Sequence, residues 1–364
     1  MRVLIDIHDT GWSTTKMWGN LLPYVSRGAS TDLKVMLGSS PECQGLKSLL
    51  QSARVSCVRR FPWPDFRPAR IRWRIEDALF VGCRWIYDAH VFHSSTVRVP
   101  TFGKWKKCIT LLDTIRELYP EQFGEANHTI LRMRKYAVQE CDGILTISEY
   151  SKSCIVSIFG VSPQKVFVSH LAVNQRPIWS CQAPDRVNQA LPAEPFVLYV
   201  GTRAGYKNFL ALAYAFADNN LRELSVVAIG GGELTDVGKS FLKKLGILEK
   251  VHVFDNASEE FLHNAYKRAT ALVFPSKLEG FGLPILEAQA AGCPVIASNA
   301  GPLPEVAGTG AMFFDPDDYF SLASLIDHVC KTAVRNQLVT AGYANLSRFS
   351  WERSAQSIIQ MYQA

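Results

Sequence analysis

Short apolar runs alternate along this chain with longer amphipathic stretches. In the first half, "RVLIDI" (2–7), "DLKVML" (32–37), "HVFHSS" (90–95), "KCITLL" (107–112), "GILTIS" (143–148) and "KVFVSH" (165–170) read as strands. They are short and rich in β-branched residues, as strands are. Helix-compatible stretches, such as 128–141 and 149–159, lie between several of them. Strands that alternate with helices predict βαβ units and a parallel sheet. The rhythm breaks at "QRPIWSCQAPDRVNQALPAEP" (175–195), whose four prolines and polar residues suit a linker. It then restarts with "FVLYVG" (196–201), "LSVVAIG" (224–230), "VHVF" (251–254), "ALVFPS" (271–276) and "PVIAS" (294–298). The pattern therefore predicts two α/β domains. One covers 1–180 and the other 190–349, with a cleft between them. Ligands of open α/β sheets bind beyond the carboxyl ends of the strands, so the chemistry is sought there.

Composition narrows the class. A length of 364 residues exceeds one ordinary core and agrees with two domains. Hydrophobic content of 48% and charged content of 20% fit a packed globular protein. The net charge of +6 suits polyphosphates, nucleic acid or an anionic surface without choosing among them. The nine cysteines are scattered without a CxxC pair, against a zinc site or a disulfide framework. Reduced thiols in a cytosolic compartment are the expectation. "MRVLIDIHDTG" lacks the apolar core of a signal peptide, and no run approaches the roughly 20 apolar residues of a membrane span. A cytoplasmic protein is expected, at most peripheral on the inner face of a membrane.

Three strand ends in the second half carry candidate chemistry. "YVGTRAGYKN" (199–208) leaves its strand at Gly201, and Arg203 and Lys207 add two positive charges to the turn. Arginine grips phosphate bidentately and lysine acts as a point charge. The spacing G-x3-G-x-K-N does not match a P-loop, and a solvated turn with surface charges is the plainer reading. "AIGGGE" (228–233) lacks dinucleotide-fold spacing. It reads either as a flexible turn or as a loop that lets a ligand approach the backbone. In "EGFGLPILE" (279–287), Pro284 suits the first position of a helix that Gly292 and Pro294 end. The turn Gly280, Phe281, Gly282, Leu283 then offers N–H groups at a helix start, where phosphate is attracted. Glu279 precedes that turn and Glu287 is expected on the first helical turn, both facing one pocket. Carboxylates accept hydrogen bonds from paired hydroxyls, so sugars suit them. Acids that complement a helix dipole are the alternative for Glu287.

At this point a family becomes recognisable. "FPSKLEGFGLPILEAQAAGCPVIASNAGPLPEVAG" (274–308), with its E-x7-E pattern, resembles the retaining GT-B glycosyltransferases of family GT4, the glycosyl transferases group 1. The likeness extends to "YVGTRAGYKN", "LTISEYSK" (145–152) and "RFSWERSAQSIIQMY" (348–362), and leans toward bacterial surface-polysaccharide mannosyltransferases. It implies two Rossmann-like domains facing across a cleft, with a C-terminal helix (350–364) that crosses back to the N-terminal domain. It implies that Glu279 contacts the donor sugar, Glu287 holds the ribose, and Gly280 to Leu283 offer N–H groups to sugar and diphosphate. Arg203 and Lys207 would neutralise the diphosphate beside Gly201. The co-substrate would be a nucleotide-diphosphate sugar, with GDP-mannose a candidate. The acceptor would be a glycan, as a lipid-linked intermediate. No tightly bound cofactor and no metal are expected. Front-face attack is implied, with a donor phosphate oxygen taking the acceptor proton. A sugar-nucleotide epimerase and a non-catalytic glycosyltransferase-like subunit stand as alternatives.

The first half departs from that pattern. Where relatives carry a glycine-rich loop, "HDTGWSTTKMWGN" (8–20) has only Gly11 before Gly19. Where many carry a His-Asp pair, "ITLLDTIRELYPEQF" (109–123) has Leu112, followed by Asp113 and Glu117. Asp113 is a catalytic candidate in this acceptor-binding half, or a loop cap. His90 and His93, three apart on a strand, would point to opposite faces, so they read as structural or substrate-lining residues rather than metal ligands. "RRFPWPDFRPARIRWRIEDALF" (59–80) holds six arginines and two tryptophans, which suits an anionic membrane interface or a solvated helix. No motif supports nucleic-acid binding.

Overall fold

The structure is a computed structural model that describes residues 1–7, 12–27, 32–37, 46–47, 50, 55–59, 89–100, 104–125, 127–173, 190–203, 205–217, 221 and 223–364. The chain forms two compact units. Met1–Leu171 and Ser350–Ala364 make the first, and Ala172–Phe349 the second. The arginine- and tryptophan-rich stretch lies outside the described residues apart from Arg59, as does most of the proline-rich segment. Among the described residues, no helix is long and apolar enough to cross a membrane.

In the first unit the strands are β1 (Arg2–Ile7), β2 (Asp32–Leu37), β3 (Ser56–Arg59), β4 (Val91–Ser94), β5 (Lys106–Thr110), β6 (Gly143–Thr146) and β7 (Val166–Val168). They pair in the order β3-β2-β1-β4-β5-β6-β7, and every pairing is parallel. In the second unit β8 (Phe196–Val200), β9 (Ser225–Ile229), β10 (Val251–Phe254), β11 (Ala271–Phe274), β12 (Val295–Ser298) and β13 (Met312–Phe314) pair as β10-β9-β8-β11-β12-β13, again all parallel. Both sheets reverse strand order once, between β1 and β4 and between β8 and β11. Those reversals are the switch points at which doubly wound sheets open a crevice.

Burial on both faces explains the nearly unbroken apolar strands. Along β8, Val197 and Tyr199 enter one core and Phe196 and Leu198 the other. The two strands that the apolar pattern missed, β3 and β13, are sheet edges of four and three residues. The first, SCVR, holds a single β-branched residue and the second, MFF, none, so neither shows the β-branched run that marks the other strands. Where relatives carry a glycine-rich loop, this chain runs as a helix, Trp12–Arg27, with residues 8–11 outside the described set. Ser148 caps the helix Glu149–Phe159 by accepting from the Ser151 N–H, and Gly160 ends it in the left-handed region.

The helix Trp351–Gln363 belongs to the first unit, as the resemblance implies. It packs on the helix Trp12–Arg27 and on β6 and β7. Ser350 caps its start through the Arg353 N–H. Its far end is fixed by a buried polar cluster. His93 is fully buried on β4, with Nδ1 2.7 Å from the Tyr362 hydroxyl and Nε2 2.9 Å from the Thr110 hydroxyl. The imidazole also meets Trp18 edge-on at 5.1 Å. His93 is thus structural. His90 lies just outside β4, and its Nδ1 accepts from the Arg2 N–H at 3.1 Å.

Burial pushes the His93 pKa down to about 3, so its neutral ring is the folded form. Unfolded, the ring titrates near 6.5, and between these values the unfolded chain binds more protons. Stability therefore falls as pH drops from about 6.5 toward 3, by up to about 1.4 kcal/mol per pH unit from this group. A His93→Gln variant should show a shallower acid loss of stability than the parent in urea unfolding between pH 6.5 and 4.5. Parallel pH profiles would show that the ring is not held neutral by the fold.

Candidate active site

The site is built where β8 and β11 meet. Gly201 ends β8 at φ +132°. Beyond it, the Arg203 guanidinium donates to three successive carbonyls: Gly230 at 2.6 Å, Gly231 at 3.2 Å and Gly232. These glycines follow β9 with φ of +87°, +80° and +79°, a backbone that other residues rarely adopt. A Cβ on Gly231 would stand 2.6 Å from the Thr202 Cα, so the two turns touch through their backbones. Gly232 N–H donates to Asp255 Oδ1 at 3.1 Å. The triple glycine is therefore a fitted receptor for Arg203 and not a loose turn. Burial is the main influence that lowers the Arg203 pKa, and Tyr199, Asp255 and Glu233 oppose it.

Lys207 follows on a single 3-10 turn, Gly205–Lys207. Its Nζ lies 2.7 and 2.9 Å from the two oxygens of Glu279, which stands on the turn after β11. Both side chains are largely buried, 20% and 9% exposed, so the pair is only partly screened by water. Three further bonds tie down the turn after β8. Asn208 sits at φ +56° and its Nδ2 donates to the carbonyls of Pro275 (3.1 Å) and Pro316 (2.8 Å). The Lys277 N–H donates to the Tyr206 carbonyl at 2.7 Å. From beneath, the Tyr199 hydroxyl donates to the carbonyls of Thr202 and Lys207. Burial, with Glu279 adding to it, raises the Tyr199 pKa and keeps that donor protonated.

The stretch 279–287 completes the site. Gly282, at φ +106°, begins the helix Leu283–Ala290, and no side chain caps it. A Cβ at Gly282 would come within 2.8 Å of Leu303 Cδ2, the end of a side chain that can shift, so it is the left-handed backbone that calls for glycine there. Phe281 turns inward, 3% exposed, and meets Phe349 edge-on at 5.9 Å. Its side chain anchors the turn, while Gly280 and Gly282 contribute backbone alone. Pro284 is the second helical residue and Glu287 the fifth, so Glu287 stands on the second turn, not the first. The helix begins one residue earlier than the proline suggests because Leu283 already has helical geometry. Glu287 Oε2 accepts from the Tyr266 hydroxyl at 3.0 Å.

Eight of the residues marked by sequence, Gly201, Arg203, Lys207, Glu279, Gly280, Phe281, Gly282 and Leu283, thus lie on two turns joined by hydrogen bonds, and Glu287 stands one helical turn further on. Asp113 belongs to the first unit. Its Oδ1 accepts from the Ile115 N–H at 3.0 Å, the bond of a loop cap. Its carbonyl accepts from Arg134, whose Nε lies 2.8 Å from Glu117 Oε1. Burial raises the Glu117 pKa, against the lowering pull of Arg134. At the switch point of the first sheet, buried Asp6 faces Arg98 at 3.5 Å. The sequence reading missed this pair, though the acid near the end of the apolar run "RVLIDI" was its signal. Among the described residues no group of three or more His, Cys, Asp or Glu is gathered as a metal would need.

Two parallel α/β units of this kind, with nearly full-length structural matches, have the GT-B fold. Residues 183–344, within the second unit, match the family described as Glycosyl transferases group 1, and the chain is a glycosyltransferase. It is 26% identical to the O-antigen chain mannosyltransferase B of Escherichia coli over 81% of this chain and 77% of that protein. It is 29% identical to the O-antigen chain mannosyltransferase RfbU of Salmonella typhimurium over 61% of this chain and 60% of that one. Among solved structures, sucrose-phosphate synthase from Thermosynechococcus elongatus matches with a TM-score of 0.71 at 19% identity, covering 100% of this chain and 98% of that one. Anabaena HepE in complex with UDP-glucose matches with a TM-score of 0.71 at 16% identity, covering 99% and 98%.

A Gly231→Ala substitution should disrupt the joined turns, because both the left-handed backbone and the 2.6 Å approach to Thr202 exclude a methyl group. A loss of about 1–3 kcal/mol is expected, read as a melting-temperature drop of several degrees. An unchanged melting temperature would contradict the fitted-receptor geometry.

Proposed function

We propose that the chain is a retaining transferase that moves a hexose from a nucleotide-diphosphate sugar to a glycan acceptor. The observation that carries this reading is the junction of Arg203, Lys207 and Glu279 beside an uncapped helix start at the β8–β11 switch point. Two cations and oriented N–H groups at one strand end suit a diphosphate, and a carboxylate within reach suits sugar hydroxyls. The O-antigen mannosyltransferase relatives support a hexosyl donor, with GDP-mannose the first candidate, and a lipid-linked surface-polysaccharide acceptor. The HepE structures in complex with UDP and UDP-glucose support a nucleotide sugar as the ligand of this fold.

In this mechanism the second unit binds the donor. Glu287 takes the ribose hydroxyls, and Glu279 the sugar. The bond between the anomeric carbon and the diphosphate breaks as the acceptor oxygen attacks from the same face. Negative charge develops on the leaving diphosphate. Lys207, Arg203 and the Gly282 helix start stabilise that charge, so electrostatics carry the catalysis. The acceptor proton passes to a donor phosphate oxygen, and no histidine is required where Leu112 stands. Lys207 has a second task. It neutralises Glu279 in the empty site, and keeps the carboxylate oriented when the diphosphate takes up part of its charge. The first unit binds the acceptor, with Asp113 fixed by its cap to the Ile115 N–H. No metal ion enters the scheme, and the protein works in the cytoplasm, at most peripheral to the membrane.

Thermal-shift titration with GDP, UDP, ADP and dTDP sugars identifies the donor, since a ligand that binds the folded form raises the melting temperature. Sugar release or transfer only in the presence of acceptor separates transfer from epimerisation, and the absence of turnover with every acceptor would mark a non-catalytic subunit. Glu287→Ala should weaken donor binding by roughly ten- to a hundred-fold, as loss of charged hydrogen bonds does. Lys207→Ala should lower turnover by about a hundred-fold or more while circular dichroism stays that of the parent. Full activity of the Lys207 variant would remove it from the mechanism.

A further inference from the structure

Tyr266 stands on the helix Glu259–Arg268 and is 2% exposed. Aromatic rings with a hydroxyl are rarely enclosed unless the hydroxyl finds a partner. Here the partner is a carboxylate on the next helix, Glu287 Oε2 at 3.0 Å. Glu287 itself is only half-buried. A glutamate there has three rotatable bonds, and an exposed one samples several rotamers. The ring of Tyr266 has one position, because it lies in the core with Phe196, Leu272, Ile285 and Cys293. A rigid, buried donor thus holds one oxygen of a half-buried carboxylate.

We infer that Tyr266 is a positioning residue for nucleotide recognition: its hydroxyl fixes the carboxylate of Glu287 so that the vicinal hydroxyls of a ribose meet it already oriented. This rests on the ribose assignment of Glu287 made above. The Tyr266 side chain does not reach the ligand itself. Its hydroxyl stays protonated over the working range, since burial first and Glu287 second raise its pKa well above the usual value. The hydroxyl therefore remains a donor to Glu287 Oε2 before the ligand binds and restricts the carboxylate that the ligand meets. Pre-organisation of this kind lowers the entropy lost on binding and sharpens discrimination between ligands that differ by one hydroxyl. The expected consequence is a preference for ribo- over 2′-deoxyribonucleotides that depends on Tyr266 as well as on Glu287.

The test uses the full chain and compares the parent with Tyr266→Phe and Glu287→Ala. GDP and UDP, each beside its 2′-deoxy counterpart, are titrated by calorimetry. Tyr266→Phe keeps the ring and its packing, so a melting temperature within a few degrees of the parent's is expected. Its affinity for the tighter ribonucleotide should fall about three- to ten-fold, with the deoxy form almost unaffected, so that the ribo-to-deoxy ratio shrinks. Glu287→Ala should abolish the ratio. If Glu287→Ala abolishes it and Tyr266→Phe leaves it at the parent's value, the positioning role is wrong while the ribose assignment stands. If Glu287→Ala keeps the parent's ratio, the ribose assignment is wrong and this inference goes with it. Failure of the parent to bind either ribonucleotide would overturn both.

Discussion

The ion pair between Lys207 and Glu279 is the contact on which the candidate site turns. It joins the turn after β8 to the turn after β11 across the one place where the second sheet reverses strand order. A partly buried pair of this kind is weak as a source of stability, because the desolvation of both charges offsets much of their attraction. What it does well is keep two opposite charges at a fixed place beside a helix start. Arg203 shows the same economy of arrangement. Its guanidinium is held by carbonyls that only a run of left-handed glycines turns toward it. Cations that are already oriented lose little freedom when an anion arrives, which is the condition electrostatic catalysis requires.

The two units repeat one strand order, but their switch points are furnished differently. The second sheet places cations and glycine turns at its reversal. The first places a buried Asp6–Arg98 pair there, and a second enclosed pair, Glu117–Arg134, beneath the Asp113 turn. The first unit pairs its buried charges with each other, whereas in the second Lys207 pairs with Glu279 and Arg203 is held by backbone carbonyls. The division of labour follows from the side chains at equivalent places in one scaffold.

Much of the fold was legible in the sequence because parallel strands buried on both faces are written as apolar runs, and β1, β2 and β10 match those runs residue for residue. The edge strands β3 and β13 escaped because SCVR holds one β-branched residue and MFF none. The site was legible where chemistry is local: Gly201, Arg203, Lys207 and the turn of 279–287 are each visible in one short stretch. The pairing of those stretches was not. Nothing in "AIGGGE" announces that its carbonyls receive Arg203, and nothing in the helix Glu259–Arg268 announces that Tyr266 meets Glu287, since both contacts join residues more than twenty positions apart. The helix start was misplaced by one residue, because Pro284 is tolerated at the second helical position as well as the first.

Backbone amide exchange with deuterium, followed by mass spectrometry with and without a saturating nucleoside diphosphate, tests the central claim most directly. Slowed exchange is expected in three stretches at once: 201–208, 230–232 and 280–287. The matching nucleoside, which lacks phosphates, should leave 201–208 as it is in the free protein. Protection by the diphosphate confined to other parts of the chain, with these three stretches unchanged, would contradict a donor site at the β8–β11 junction.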